Sequence, residues 1–262
     1  MLESTFIFLK GIGPYSERRL WEHGIDSWRA FLREPSVPGI SPQRKPLYDL
    51  EVSAAIDHLA AGDSRFFAAR LKAREHWRLY ETFRLRTLFL DIEASGESAG
   101  YAHATVIGLY ANGRMTSLVY GDTLTEERLR EALAQADLLV TFFGSVFDVP
   151  FLRAAFPGLD FGLPHFDLCF AARRLGLHGG LKRIESELSI SRDADLAGLD
   201  GWDAVRLWRE WRCGRQSSLD LLLRYNAADT RNLEPLAERL YRRLLEQYGP
   251  PTPVIRSAAY PG

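Results

Sequence analysis

The spacing of apolar residues along this 262-residue chain changes near residue 84. Before that point they recur three to four apart, and after it they come in short continuous or alternating runs. Over residues 1–32 the pattern predicts helix, broken at Gly11 and Gly13 in "LKGIGPYSERRL", with a second helix starting near Pro14. "REPSVPGISPQRKP" (33–46) carries four prolines and predicts an irregular connector. Two helices follow over 48–82, parted near "AAGDS" at 60–64. A strand is expected over 85–92, then two β-rich runs around Asn112-Gly113, a dipeptide that favours a tight hairpin. Thr123 and Glu126 have capping-box spacing ahead of the helix "ERLREALAQA". "DLLVTFFG" (137–144) reads as a strand, "DVPFLRAAF" as a short helix, and "HFDLCFAARRL" (165–175) as either. "LKRIESEL" and 202–212 are amphipathic helices, and a last long helix runs from Ser217 to Tyr248.

The hairpin over 106–120 is antiparallel, while helix-connected strands pair in parallel, so the expected fold is α/β with a mixed sheet flanked by helices. Three parts are expected: a helical module over 1–82 with its Pro-rich connector, the α/β domain over 83–248, and an irregular tail over 249–262. The chain contains no internal repeat and no low-complexity tract.

Composition narrows the function. Hydrophobic residues make up 46% and charged residues 26%, the values of a folded soluble protein, so disorder is excluded. A net charge of −1 excludes a protein that coats nucleic acid by bulk charge. A local basic patch is still available: Arg70, Arg74 and Arg78 recur every four residues and on one helix would form a stripe, either facing nucleic acid or simply solvated. Cys169 and Cys213 form no C-x-x-C pair, which argues against a disulfide framework and a thiolate zinc site. "MLESTFIFLK" lacks the basic region of a signal peptide, and no apolar run has membrane-spanning length, so the expected setting is the cytoplasm with no membrane contact. His23, His58, His76, His103, His165 and His178 show no metal-ligand spacing. Trp202, Trp208 and Trp211 fall at helical spacing and read as core.

The candidate chemistry lies in four acids. "TLFLDIEAS" (87–95) places Asp91 and Glu93 at i and i+2, on one side of a strand next to a core. Asp148 closes "FFGSVFDVPFL" at the start of a helix, where it also suits an N-cap. Asp229 and Tyr225, four residues apart in the last helix, share a face. Carboxylates converging from strand and helix ends repel one another unless cations sit between them. Hard oxygen ligands select Mg²⁺ or Mn²⁺, and two such ions about 3.5–4 Å apart form the clamp used for in-line attack on phosphate esters.

"DIE" at a strand end, "GSVFDVPFL", and "YNAAD" on a helix, in that order, resemble the three exonuclease motifs of the DEDD superfamily. The tyrosine four residues before the last acid is similar to its tyrosine subclass. "GGLKRIESEL" and "LLRYNAADTRNLEPLAERL" further resemble bacterial exonucleases with a ribonuclease H-like domain. The likeness covers residues 84–246. It implies a ribonuclease H-like fold and metal-dependent 3′→5′ removal of nucleotides. Asp91, Glu93, Asp148 and Asp229 would hold two divalent ions, with Tyr225 orienting the attacking water or helping to deprotonate it. The family's second motif often reads N-G-x-x-F-D, and this chain departs from it with Phe143 in the asparagine's place. Lys182 in "GGLKRI" either meets substrate phosphate or stands solvated.

"LKGIGPYSERRLWEHGI" resembles a helix-hairpin-helix element, with Glu17 where a small alanine is usual. That resemblance implies that Lys10, Gly11 and Gly13 approach phosphate through the backbone, independently of base sequence. A plain or protein-binding helical hairpin is the other reading. Together these features predict a 3′→5′ exonuclease whose partner is DNA with a free 3′ end. An RNA-trimming enzyme and a non-catalytic nucleic-acid-binding protein on the same fold are the alternatives.

Overall fold

Along β1 (Thr87–Ala94), Leu88, Leu90 and Ile92 alternate with Phe89, Asp91 and Glu93, and this alternation assigns the two faces of the sheet. The first set enters an apolar cluster with Leu129, Leu133, Val149, Phe151 and Leu152. Phe89 enters another with Val140, Phe166, Leu233, Leu236 and Leu240. The computed structural model describes residues 1–96, 103–196 and 198–251. The tail expected over 249–262 therefore lies, from residue 252 onward, outside the described residues.

Five strands form one mixed sheet: β1, β2 (Ala104–Ala111), β3 (Arg114–Val119), β4 (Leu138–Thr141) and β5 (His165–Asp167). Their order is β3-β2-β1-β4-β5. β1 pairs antiparallel with β2 and parallel with β4, β2 pairs antiparallel with β3, and β4 pairs parallel with β5. The expected hairpin is present, with Asn112 and Gly113 both at positive φ (50° and 75°) as a type I′ turn requires. The N-terminal part contributes α1 (Pro14–Glu22), α2 (Trp28–Arg33), α3 (Lys45–Ala60), α4 (Ser64–Arg70) and the single turn α5 (Tyr80–Phe83). After the hairpin come α6 (Glu126–Ala134), α7 (Asp148–Ala155), α8 (Leu168–Arg174), α9 (Leu181–Glu187), α10 (Gly201–Arg212) and α11 (Gln216–Tyr248). The α6–α7 pair covers one face and α11 the other. Among the described residues no helix is long and apolar enough to cross a membrane.

Several local expectations are corrected. Residues 1–13 hold only a 3₁₀ turn at Leu2–Ser4, so no helix precedes the glycines. The segment is fixed instead by side chains: Trp28 Nε1 donates to the Thr5 carbonyl at 2.7 Å and Trp21 Nε1 to that of Ser4 at 2.8 Å. Thr125, not Thr123, caps α6, its hydroxyl accepting the Arg128 amide at 3.3 Å. Thr123 instead accepts the Val119 amide at 2.9 Å and closes the turn after β3. "HFDLCFAARRL" resolves into both readings in succession, β5 then α8. Trp202 is 68% exposed and is not core, whereas Trp208 is buried.

The arginine stripe does not form. α4 stops at Arg70 because Leu71 and Lys72 are extended (ψ 142° and 144°), and the chain resumes as a 3₁₀ helix over Ala73–Leu79. Arg78 is turned inward, 2.9 Å from both Glu17 and Glu75, and donates to the Thr5 hydroxyl at 3.3 Å. Glu17 in turn accepts the amides of Phe6 (2.6 Å) and Ile7 (3.3 Å). Burial pushes the Glu17 carboxyl up, against the pull of the Arg78 guanidinium. Glu17 thus clamps the N-terminal segment to the rest of the molecule. Arg78→Met strands the buried Glu17 carboxylate, while Glu75 keeps Arg174 at 3.1 Å, and is expected to cost about 3–5 kcal/mol in chemical denaturation. Adding Glu17→Gln should recover part of that loss, and strict additivity of the two would refute the coupling.

Candidate active site

Asp91 and Glu93 leave the same face of β1, toward α11. Gly108 on β2 is the register partner of Asp91. A Cβ at Gly108 would run into the side chains of Thr230 and Asn226, so only glycine lets α11 come this close. The approach brings Asp229 to the strand acids: carboxylate oxygens of Asp91, Glu93 and Asp229 all lie within 4.8 Å of one another. Asp148 comes from the opposite side of the sheet, at the first position of α7. It does not join that trio, but its carboxylate accepts the Ile92 amide at 3.2 Å, which places it over the backbone between Asp91 and Glu93.

Without a cation the cluster is electrostatically unfavourable. Burial first, then the charges of Glu93, Asp229 and Asp148, push the Asp91 carboxyl well above the carboxylate range. Burial and Asp229 do the same to Glu93. Asp148 is raised by burial despite the amides that favour its charged form. Tyr225 is 5% exposed, and its phenol is pushed up by burial and by the charges of Asp229, Glu93 and Asp91, so it holds its proton.

Four side chains support the acids, and of these the sequence singles out Lys182 alone. Arg192, its side chain enclosed in the loop before α10, pairs with Asp229 and, at 2.8 Å, with the buried Glu185 of α9. Asn226 donates to the Asp91 carboxylate at 3.0 Å, and its own Oδ1 is buried without a partner. Lys182 stands beside Tyr225, its Nζ 3.2 Å from the hydroxyl and 4.5 Å from the ring centroid. Asp167 accepts the amides of Phe143 (2.9 Å) and Ser145 (3.0 Å) and so shapes the turn that leads to Asp148. Of the other three, Asn226 had a readable signal: it lies three residues before Asp229 on the same helix.

Lys10, Gly11 and Gly13 lie on a different part of the fold from these acids. Lys10 and Gly11 are exposed, Gly11 has φ 95°, and the Lys10 carbonyl accepts the Tyr48 hydroxyl at 2.7 Å. Gly13 is the N-cap of α1, with Pro14 following at its first turn.

A family model described as the RNase H superfamily matches residues 88–241. No curated protein matches the chain in sequence. Among solved structures, the fold is similar to that of the family B DNA polymerase from the hyperthermophilic archaeon Pyrobaculum calidifontis. That match has TM-score 0.53 and 16% identity over 63% of this chain and only 26% of the polymerase. Brucella melitensis NrnC with bound Mg²⁺ (TM-score 0.47, 21% identity, 65% of this chain and 79% of that one) is another match. A third is the Aedes aegypti Nibbler EXO domain (TM-score 0.43, 14% identity, 66% and 85%). The span matched by the family model runs from β1 into α11 and contains all four acids and Tyr225, and the chain belongs to the RNase H superfamily.

Proposed function

We propose that the chain is a metal-dependent 3′→5′ exonuclease that hydrolyses phosphodiester bonds of DNA. Residues 83–248 would carry the chemistry, and the helical module over 1–82 would help to hold the substrate. The observation that carries this reading is the convergence of Asp91, Glu93 and Asp229 within 4.8 Å beside Asp148. The donor set fits hard divalent cations, since it offers carboxylate oxygens only and a buried negative charge that Arg192 alone does not cancel. The four acids would hold two such ions, Mg²⁺ or Mn²⁺. Bound there, they supply Lewis-acid stabilisation of phosphate charge and a more acidic water.

The chain's own groups do the positioning. Asn226 fixes the Asp91 carboxylate, the Arg192–Glu185 pair fixes Asp229, and the Ile92 amide fixes Asp148. The Tyr225 hydroxyl orients the attacking water, and Lys182, next to it, meets substrate phosphate. Lys10, Gly11 and Gly13 contact phosphates farther along the strand. The 3′→5′ polarity rests on the resemblance to the DEDD enzymes.

The test is incubation with end-labelled single-stranded DNA, duplex DNA and RNA, with Mn²⁺ or with EDTA. Stepwise shortening of DNA from its 3′ end, stopped by EDTA, is expected. Faster trimming of RNA would move the substrate to the alternative reading, and intact nucleic acid throughout would refute the nuclease reading.

A further inference from the structure

Phe143 occupies the place where the resembled motif usually has asparagine, and its backbone is in the left-handed region, with φ 65°. Asparagine tolerates that region, whereas a bulky aromatic there is a conformational outlier. The surroundings impose it. Asp167 accepts the amides of Phe143 and Ser145 and, at 2.6 Å, the Ser145 hydroxyl, while also capping α8 through the Cys169 amide at 3.0 Å. Backbone outliers that persist in this way cluster at ligand sites.

The Phe143 ring is 36% exposed, beside the 41% exposed Phe170 of α8. The two ring centroids are 6.0 Å apart with planes inclined at 31°. Arg173, one turn beyond Phe170 and itself exposed, holds its guanidinium 5.7 Å from the Phe143 centroid and 5.3 Å from that of Phe170. Two aromatic faces and a cation thus meet at the surface, from two separate elements. The patch is tied to the acids by a short turn: the Phe143 carbonyl accepts the Phe147 amide at 3.2 Å and the Gly144 carbonyl accepts that of Val149 at 2.8 Å, on either side of Asp148.

We propose that Phe143, Phe170 and Arg173 form a stacking subsite for a nucleobase of a single-stranded end, adjoining Asp148. This deepens the nuclease reading and rests on it. Every base has a π face, so an aromatic platform binds without regard to sequence, and arginine adds cation–π attraction and a phosphate donor. Inside a duplex those faces are covered by neighbouring bases, so the subsite selects single-stranded or frayed ends.

Phe143→Asn separates this role from a structural one, because asparagine suits the backbone while removing the ring. In an Asp91→Asn background with Mg²⁺, binding is measured by fluorescence anisotropy. One probe is a short single-stranded DNA, and the other is an oligomer of the same length built from abasic tetrahydrofuran units. Phe143→Asn is expected to melt no lower than its parent, to bind the base-bearing strand roughly 5- to 150-fold more weakly, and to bind the abasic strand unchanged. Phe170→Leu should act in the same direction. Equal losses on both strands would assign the patch to phosphate and overturn stacking, as would no loss on either. If the unsubstituted protein shortens DNA but the variant binds both strands like its parent, only the subsite fails. If the unsubstituted protein neither binds nor shortens any nucleic acid, the nuclease reading fails with it.

Discussion

Asp91→Asn is expected to lower DNA hydrolysis by about 10³-fold or more while making the metal-free protein more stable. The first effect follows from removing one of three carboxylates whose oxygens lie within 4.8 Å, since a neutral amide is a poor ligand for a hard cation. The second follows from the electrostatics of the empty cluster. Burial and mutual repulsion raise the carboxyls of Asp91, Glu93 and Asp148. A raised carboxyl contributes stability that is complete below its unfolded value, near pH ~4, and lost as the pH rises toward neutrality. In EDTA the parent should therefore melt higher in mildly acidic than in mildly alkaline buffer, and Asp91→Asn should flatten that dependence. The amide is nearly isosteric, and Asn226 still finds an oxygen acceptor, so packing does not offset the gain. Mg²⁺ should stabilise the parent and leave the variant nearly unchanged. Two melting series, with EDTA and with Mg²⁺, check these effects. A variant that hydrolyses DNA at a rate close to the parent's, or that melts lower in EDTA, would refute the metal assignment.

The elements that bring the acids together were legible because their patterns are local. Alternation along β1 fixes which side Asp91 and Glu93 take, and four-residue spacing on α11 fixes the common face of Tyr225 and Asp229. The Asn112-Gly113 turn fixes the β2–β3 register, setting Ala111 opposite Arg114 and Gly108 opposite Ser117. What stayed hidden depends on contacts between distant parts of the chain. Arg192 acquires its partners only when α9 and α11 enclose it, and Asp167 only when the turn before Asp148 folds onto it. The arginine stripe shows the converse error. Four-residue spacing implies a shared face only while the helix continues, and it breaks at Leu71. Glu17, a departure from the hairpin pattern in sequence, proves to be one half of a buried ion pair.

Tyr225→Phe is expected to reduce the single-turnover rate by roughly 10²–10⁴-fold with little change in metal or DNA affinity. Phenylalanine keeps the ring that packs with Val106, Trp208 and Leu222, and keeps the face over which Lys182 lies. Only the hydroxyl is lost. Burial and three neighbouring carboxylates push that phenol above its ordinary value of ~10, so in the metal-free protein it holds its proton at neutral pH. On the nuclease reading its contribution would be geometric: a fixed donor among acceptors, aligning the water against the phosphate. That role has a kinetic signature. If Tyr225 orients the water, parent and variant should give parallel pH–rate profiles through neutrality, displaced by the lost factor. If Tyr225 took up the proton, the parent profile would carry an ionisation that the variant lacks, and the two would converge at low pH. A tyrosine that merely fills space predicts a third outcome, near-parental rates at every pH. Lys182→Met tests the same geometry from the other side. Its Nζ lies 3.2 Å from the hydroxyl, so losing it should weaken DNA binding and leave the shape of the profile unaltered.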